Sequence, residues 1–146
     1  MEFAGAKLAL FLGTDLLVIR RDNRPDIPFP DHLDLPGGGR EADETPIECA
    51  LRETREEVGL VLRPDEIVWT RTYDRENGSV WFFVAHRPAE HVQQVRFGSE
   101  GQGWSLMSAR AFIDDPMTVP HFRDQLQHYL DHGADPAHGR IVSQVR

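Results

Sequence analysis

The chain has 146 residues, 40% of them hydrophobic and 27% charged, which suits one globular domain with a sizeable core. Twenty-four acidic residues against sixteen basic ones give a net charge of −8, which argues against a nucleic acid polymer as partner, since such binding rests on lysines and arginines at phosphates. The single cysteine, Cys49, rules out an intramolecular disulfide, and no apolar run is long enough to span a bilayer.

The opening "MEFAGAKLALFLGTDLLVIRRD" has one lysine and an acidic residue ahead of its apolar run and no small-residue cleavage site. It therefore reads as two short strands, "AKLALFL" and "LLVIRR", joined by a turn at Gly13-Thr14-Asp15, in a cytoplasmic protein. "DNRPDIPFPDH" holds three prolines and no period, so it is a loop, and "LDLPGGG" then brings the chain to a glycine turn.

The next segment predicts a helix over 46–58. Thr45 suits the N-cap, Pro46 the first helical position, Glu48 completes a capping box, and Gly59 stops the helix in a left-handed conformation. At 3.6 residues per turn, Ile47, Leu51, Thr54 and Val58 form the core stripe. Glu53, Glu56 and Glu57 share the other side, where like charges three and four residues apart repel by a few tenths of a kcal/mol. Arg52 can offset Glu56 but cannot neutralise three carboxylates. A solvated acidic face is the ordinary explanation of such a cluster; a hard divalent cation such as Mg²⁺ or Mn²⁺, bound by carboxylate and carbonyl oxygens, is the other.

Downstream, "EIVWTRTYDRENGSVWFFVAHRP" reads as a hairpin turning at Asn77-Gly78, and "GWSLMS" as a short strand. "SARAFIDD" reads as a helical turn or two. "VPHFRDQLQHYLDH" is a longer helix with Phe122, Leu126, Tyr129 and Leu130 on one face. The last dozen residues read as a flexible tail on a single domain over 1–146. Strands and helices mix without regular βαβ alternation, so the expected class is α+β or a layered α/β/α domain.

The run from Gly38 to Leu60 resembles the Nudix box, G-x5-E-x7-R-E-U-x-E-E-x-G-U with U aliphatic. Gly38, Glu44, Arg52, Glu53, Glu56, Glu57, Gly59 and the final Leu60 all match. At about 7% for each residue type, seven fixed matches at a given start arise by chance about once in 10⁸. Thr54 replaces the usual aliphatic, and Leu33 stands where an aromatic is frequent.

The resemblance implies a Nudix-type α/β/α sandwich with a mixed β-sheet and Mg²⁺ (or Mn²⁺) as cofactor. It implies hydrolysis of a pyrophosphate bond in a nucleoside di- or triphosphate, or in a nucleoside diphosphate linked to another moiety. Glu53, Glu56 and Glu57 would be the metal ligands, with the Gly37 carbonyl as a further one; Glu44 and Arg52 would orient them. The base can come from a later loop in this family, and Glu100 in "FGSEGQGWS" is the candidate for that role or for an extra metal contact, against an ordinary loop glutamate. The turn Gly37, Gly38 and Gly39 would lie at the phosphates, and Arg20, Arg21 and Arg24 would either hold phosphate or stand as solvated surface cations. Tyr73, Trp81, Phe83 and Trp104 would stack a base or fill the core, while Cys49 and the histidines carry no catalytic or zinc spacing, and His121 and His128 are expected at the surface.

The proline that marks many ADP-ribose hydrolases would fall near Arg75, and the tyrosine of dinucleoside polyphosphate hydrolases near Glu76 to Gly78; neither is there. That exclusion leans the substrate towards a nucleoside di- or triphosphate. The alternatives are an ADP-ribose or nucleotide-sugar pyrophosphatase and, outside enzymes, a nucleotide-sensing domain. Many family members are homodimers, a state the resemblance admits here.

Overall fold

The computed structural model describes residues 2–133; the expected C-terminal tail lies outside them. Seven strands form one sheet: β1 (Phe3–Leu12), β2 (Asp15–Arg20), β3 (Leu33–Asp34), β4 (Gly37–Gly39), β5 (Ile67–Arg75), β6 (Gly78–Arg87) and β7 (Gly103–Met107). Three α-helices pack on it: α1 (Pro46–Val58), α2 (Ala109–Asp114) and α3 (Pro120–His128). The main strand order is β3-β2-β1-β6-β5, with β4 on β1 and β7 on β2. The β1–β6 ladder is parallel and the other ladders between strands are antiparallel, so the sheet is mixed, as expected.

Alternation along the central strands explains the layers. On β1, Ala6, Leu8, Leu10 and Leu12 face one core while Ala9 and Phe11 face another; on β6, Phe83 and Ala85 oppose Phe82 and Val84. Strands apolar on both faces must be covered twice. The first core is closed by Cys49, Ala50 and Val58 of α1, the second by Phe112 of α2 and by Phe122, Leu126 and Tyr129 at α3 and its end. This is an α/β/α sandwich, as expected.

Helix α1 spans the predicted residues, with the full capping box at Thr45 and Gly59 at φ +76°. Its core stripe is wider than the periodicity suggests. Cys49, Ala50, Thr54 and Val58 are buried, while Ile47 and Leu51 pack at the margin. Thr54, fully buried, satisfies its hydroxyl by donating to the Ala50 carbonyl at 2.8 Å.

Three expectations are corrected. The glycine stretch is a strand as well as a turn: Gly37–Gly39 pairs with Gly5–Lys7 of β1. The hairpin turns at Glu76-Asn77, since Arg75 pairs with Gly78 and Gly78 opens β6 at φ +126° against the start of β1. Helix α3 ends at His128, and Tyr129–Gly133 continues as a π turn. Short 3-10 turns at Pro64–Glu66 and Ala89–Gln94 complete the fold.

Candidate active site

The β4 strand and helix α1 together build the site. Gly37, at φ +137°, runs so close to β1 that a Cβ would lie 2.2 Å from the Ala6 carbonyl oxygen. A Cβ on Gly38 would lie 2.8 Å from the Glu53 carboxylate. Only glycine lets the backbone lie between the sheet and the glutamates of the helix. The Gly37 amide then donates to Glu57 Oε1 at 3.0 Å.

Glu57 and Glu53 adjoin on the side of α1 that turns to β4. The Glu57 carboxyl is pushed up to about 8, chiefly by burial, with Glu53 adding to the rise and Lys7 and the Gly37 amide opposing it. The acidic face is therefore not a solvated one. Two of its carboxylates are drawn inward, and only Glu56 stands half exposed.

Arg52 organises the rest. It makes a two-pronged contact with Glu44 through Nε to Oε2 and, at 3.2 Å, Nη2 to Oε1. Nη2 also donates to the Gly39 carbonyl at 3.1 Å, and Nη1 to Glu53 at 3.1 Å and to Glu56 at 3.2 Å. One planar fork thus ties the glycine strand to three glutamates. The guanidinium in turn holds the Glu44 carboxyl below the usual range.

A groove of about 260 Å³ opens beside Glu57, walled by Ile19, Arg21, Asp22, Arg24, Ile27, Asp34, Glu100 and Gly101. Glu100 also faces Glu56 and Glu57 across a second hollow with Ser99. The structure thus brings Glu100 to the carboxylate helix from more than forty residues away in the chain. It brings Arg21 there too, donating to Asp34 at 2.9 Å and to the Pro28 carbonyl at 2.9 Å.

Arg20 does not join them. Adjacent strand residues point to opposite faces, and Arg20 bonds Asp31 beside a separate depression that it shares with Trp104. Arg24 reaches the groove wall while paired with Asp26 at 2.6 Å.

Phe83 is core, and Trp81 stacks on it at 5.9 Å. Tyr73 packs against the second core. His121 and His128, expected at the surface, are half-buried: His121 packs on Phe29 and Phe122, and His128 lies against Trp69 and Arg71. Cys49 is wholly buried and its thiol is pushed up to about 11 by that burial, which keeps it out of nucleophilic chemistry.

Two residues of the site were not singled out from the sequence. Asp34, 5% exposed, accepts from Arg21, from the Leu35 amide at 2.6 Å and from Lys7. Lys7 stands in mid-strand among apolar neighbours. A charged residue inside "AKLALFL" and another inside "LDL" were the available signals.

Among the described residues, no three His, Cys, Asp or Glu side chains gather into a closed metal cage. The donor set still fits a hard cation. Mg²⁺ typically takes one or two carboxylates and completes its shell with water and phosphate oxygens, and Glu53 with the desolvated Glu57 offers such a pair of carboxyl groups beside the groove. Glu56 is held by Arg52 and would have to release it to join them.

The profile of the NUDIX domain matches residues 3–129. The chain belongs to the Nudix family. A search of curated proteins finds no match. Solved structures show the same fold. The MutT protein of Methanosarcina mazei Go1 aligns with a TM-score of 0.69 and 21% identity over 90% of this chain and 96% of that one. An Ap4A hydrolase from C. elegans aligns at 0.66 and 19%, over 87% and 96%. A bifunctional NMN adenylyltransferase/ADP ribose pyrophosphatase from Francisella tularensis, complexed with AMP and a Mn ion, aligns at 0.67 and 19%, over 90% of this chain and 42% of that one. At these identities the likeness to this Nudix chain is one of fold. No helix among the described residues is long and apolar enough to cross a membrane.

Proposed function

We propose that this Nudix protein is a divalent-cation-dependent hydrolase. It cleaves a pyrophosphate bond in a nucleoside di- or triphosphate, or in a nucleoside diphosphate linked to another moiety. The observation that carries this is the pairing of Glu53 with the desolvated Glu57 against the Gly37–Gly38 backbone, at the mouth of a groove that Glu100 and Arg21 also line.

In this reading Glu53 and Glu57 hold Mg²⁺ or Mn²⁺, with Glu56 as a third ligand. The Gly37 carbonyl, which already accepts from Lys7 at 3.2 Å, keeps a second lone pair for the same ion. The bound cation supplies charge neutralisation of the diphosphate and electrophilic activation of the attacked phosphorus. Arg52 and Glu44 fix the orientation of the ligands. Arg21 and the Gly37–Gly39 backbone meet the phosphates. Glu100 takes the proton of the attacking water, and the bridging oxygen leaves with the departing phosphate.

The test is incubation with Mg²⁺ or Mn²⁺ and a panel of nucleotides, with products identified by chromatography. A nucleoside monophosphate plus pyrophosphate from a triphosphate supports the favoured substrate class. AMP plus ribose phosphate from ADP-ribose would move the substrate to the ADP-ribose and nucleotide-sugar class, the activity that one structural neighbour's name carries. Tight binding with no turnover of any substrate would make the chain a nucleotide sensor and refute the hydrolase reading.

A further inference from the structure

The Lys7 ammonium lies where three segments meet. It donates to Asp34 at 3.2 Å, to the Leu35 carbonyl at 3.1 Å and to the Gly37 carbonyl at 3.2 Å. An ammonium has three protons, so these acceptors use its full donor capacity. Four-fifths of the side chain is covered, with Phe122 beneath it at 5.6 Å. Lys7 is thus saturated by the protein and is not placed to grip a substrate.

What it grips is the residue that orients Glu57. The Gly37 peptide accepts from Lys7 through its carbonyl, while its amide donates to Glu57 Oε1 at 3.0 Å. Gly37 itself sits at φ +137°, packed against Ala6 and Lys7 of β1, so the Lys7 side chain is part of what holds that conformation. On its other side Lys7 holds Asp34, which holds Arg21 at the groove wall. One largely covered ammonium therefore links the Gly37 peptide beside Glu57 with Arg21 at the groove wall.

We propose that Lys7 is a positioning residue that fixes the Gly37 peptide, and through it the Glu57 carboxylate, for cation binding. The proposal rests on the cation-binding reading above and adds to it a residue outside the box. Removing the Lys7 charge relieves its repulsion of a cation but also lets the Glu57 carboxyl rise further, so exchange of the Gly37 amide is the readout that reports positioning alone. Loss of an orienting contact behind a metal ligand weakens cation binding, typically tenfold to a hundredfold.

The experiment compares wild type with Lys7→Met in two measurements. Calorimetric titration with Mn²⁺ alone is expected to show affinity reduced at least about tenfold in the variant. Unchanged or tighter binding overturns the proposal. Amide hydrogen exchange on the cation-free proteins is expected to show Gly37 exchanging at least about tenfold faster in Lys7→Met, with the Gly59 amide unchanged as control. Equal Gly37 exchange overturns it as well. If wild type binds no Mn²⁺, the cation-binding reading fails, and the positioning proposal falls with it even where the exchange data show Lys7 holding Gly37. Should Lys7→Met fail to melt cooperatively, Lys7→Gln, which keeps a donor for the Gly37 carbonyl, replaces it: weakened Mn²⁺ binding with faster Gly37 exchange supports the proposal, and unchanged or tighter binding or unchanged exchange overturns it.

Discussion

Replacing Glu57 with glutamine separates the two consequences of burying that carboxylate. In the folded, cation-free protein its carboxyl titrates at about 8, against 4.5 for the ordinary group. The folded state therefore holds a proton that the unfolded chain releases from about pH 4.5 upward. Stability is lost as the pH rises through the window from 4.5 to 8, then levels off. At 1.36 kcal/mol per unit the full shift would amount to several kcal/mol. Water at the open side of the groove screens part of this, leaving about 1–3 kcal/mol. Glutamine keeps an oxygen for the Gly37 amide and carries no charge, so Glu57→Gln should melt about 3–10 °C higher than wild type at pH 8 without cations, and near wild type at pH 5. Mg²⁺ should raise the melting temperature of wild type at pH 8 and leave the variant unmoved. Hydrolysis should fall at least about a hundredfold, a loss comparable to removing other preorganised electrostatic groups. The assay is a thermal melt at both pH values, with and without Mg²⁺, beside a turnover measurement. A variant that melts no higher than wild type at pH 8, or whose turnover falls by less than about a hundredfold, refutes the assignment.

Three further outcomes follow from the geometry. Arg52→Lys removes the fork that holds Glu44, Glu53, Glu56 and the Gly39 carbonyl together; it should cost about 2–3 kcal/mol in urea unfolding and more than about tenfold in turnover, even though the charge is kept. Glu100→Gln should lower kcat at least about a hundredfold without changing the melting temperature, because the residue is exposed and its part is to take a proton. Away from the site, Glu66 accepts from Arg87 at 2.7 and 2.8 Å and its carboxyl is held down to about 2, first by that contact. Its contribution is complete above pH 4.5 and is lost as the pH falls toward 2, so Glu66→Gln should cost about 1.5–3 kcal/mol at pH 7 in chemical unfolding, with the difference narrowing at pH 3.

Those predictions draw unequally on what the sequence carries. Helix α1 was legible to the residue because its limits are set by local chemistry: a threonine cap with its capping box, a proline at the first turn and a glycine in the left-handed region. The strands of the first half and the two later helices were legible from period and apolar runs. The box residues were legible as a pattern. What the pattern does not carry is which way the carboxylates face. Periodicity places Glu53 and Glu57 opposite the core stripe, but β4 lies against that side as well, and no helical wheel knows where a neighbouring strand will pass. The same blindness covers the turn of the β5–β6 hairpin, displaced by one residue because Gly78 pairs with Arg75 as the first residue of β6, where a side chain would crowd the start of β1.

The groove shows the limit from the other direction. Arg20 and Arg21 are indistinguishable as a basic pair in the sequence, and pleating alone sends one to the groove and the other away from it. Glu100 could be named only because the resemblance allows a later loop to contribute; the fold then carries its loop to the helix through the backbone bonds of Arg96 to Val58 and Gly98 to Glu57. Lys7 and Asp34 had a signal that apolar-run reading discards, namely a charge where a strand should be uninterrupted. Burying an ammonium is costly unless its protons are all accepted, so a lysine inside such a strand announces acceptors waiting in the fold. Here those acceptors are the Asp34 carboxylate and the carbonyls of Leu35 and Gly37, which belong to the chain just ahead of the carboxylate helix. The Lys7 ammonium and the Glu53–Glu57 carboxyl pair lie on the two sides of a single glycine peptide, which accepts from the first through its carbonyl and donates to Glu57 through its amide.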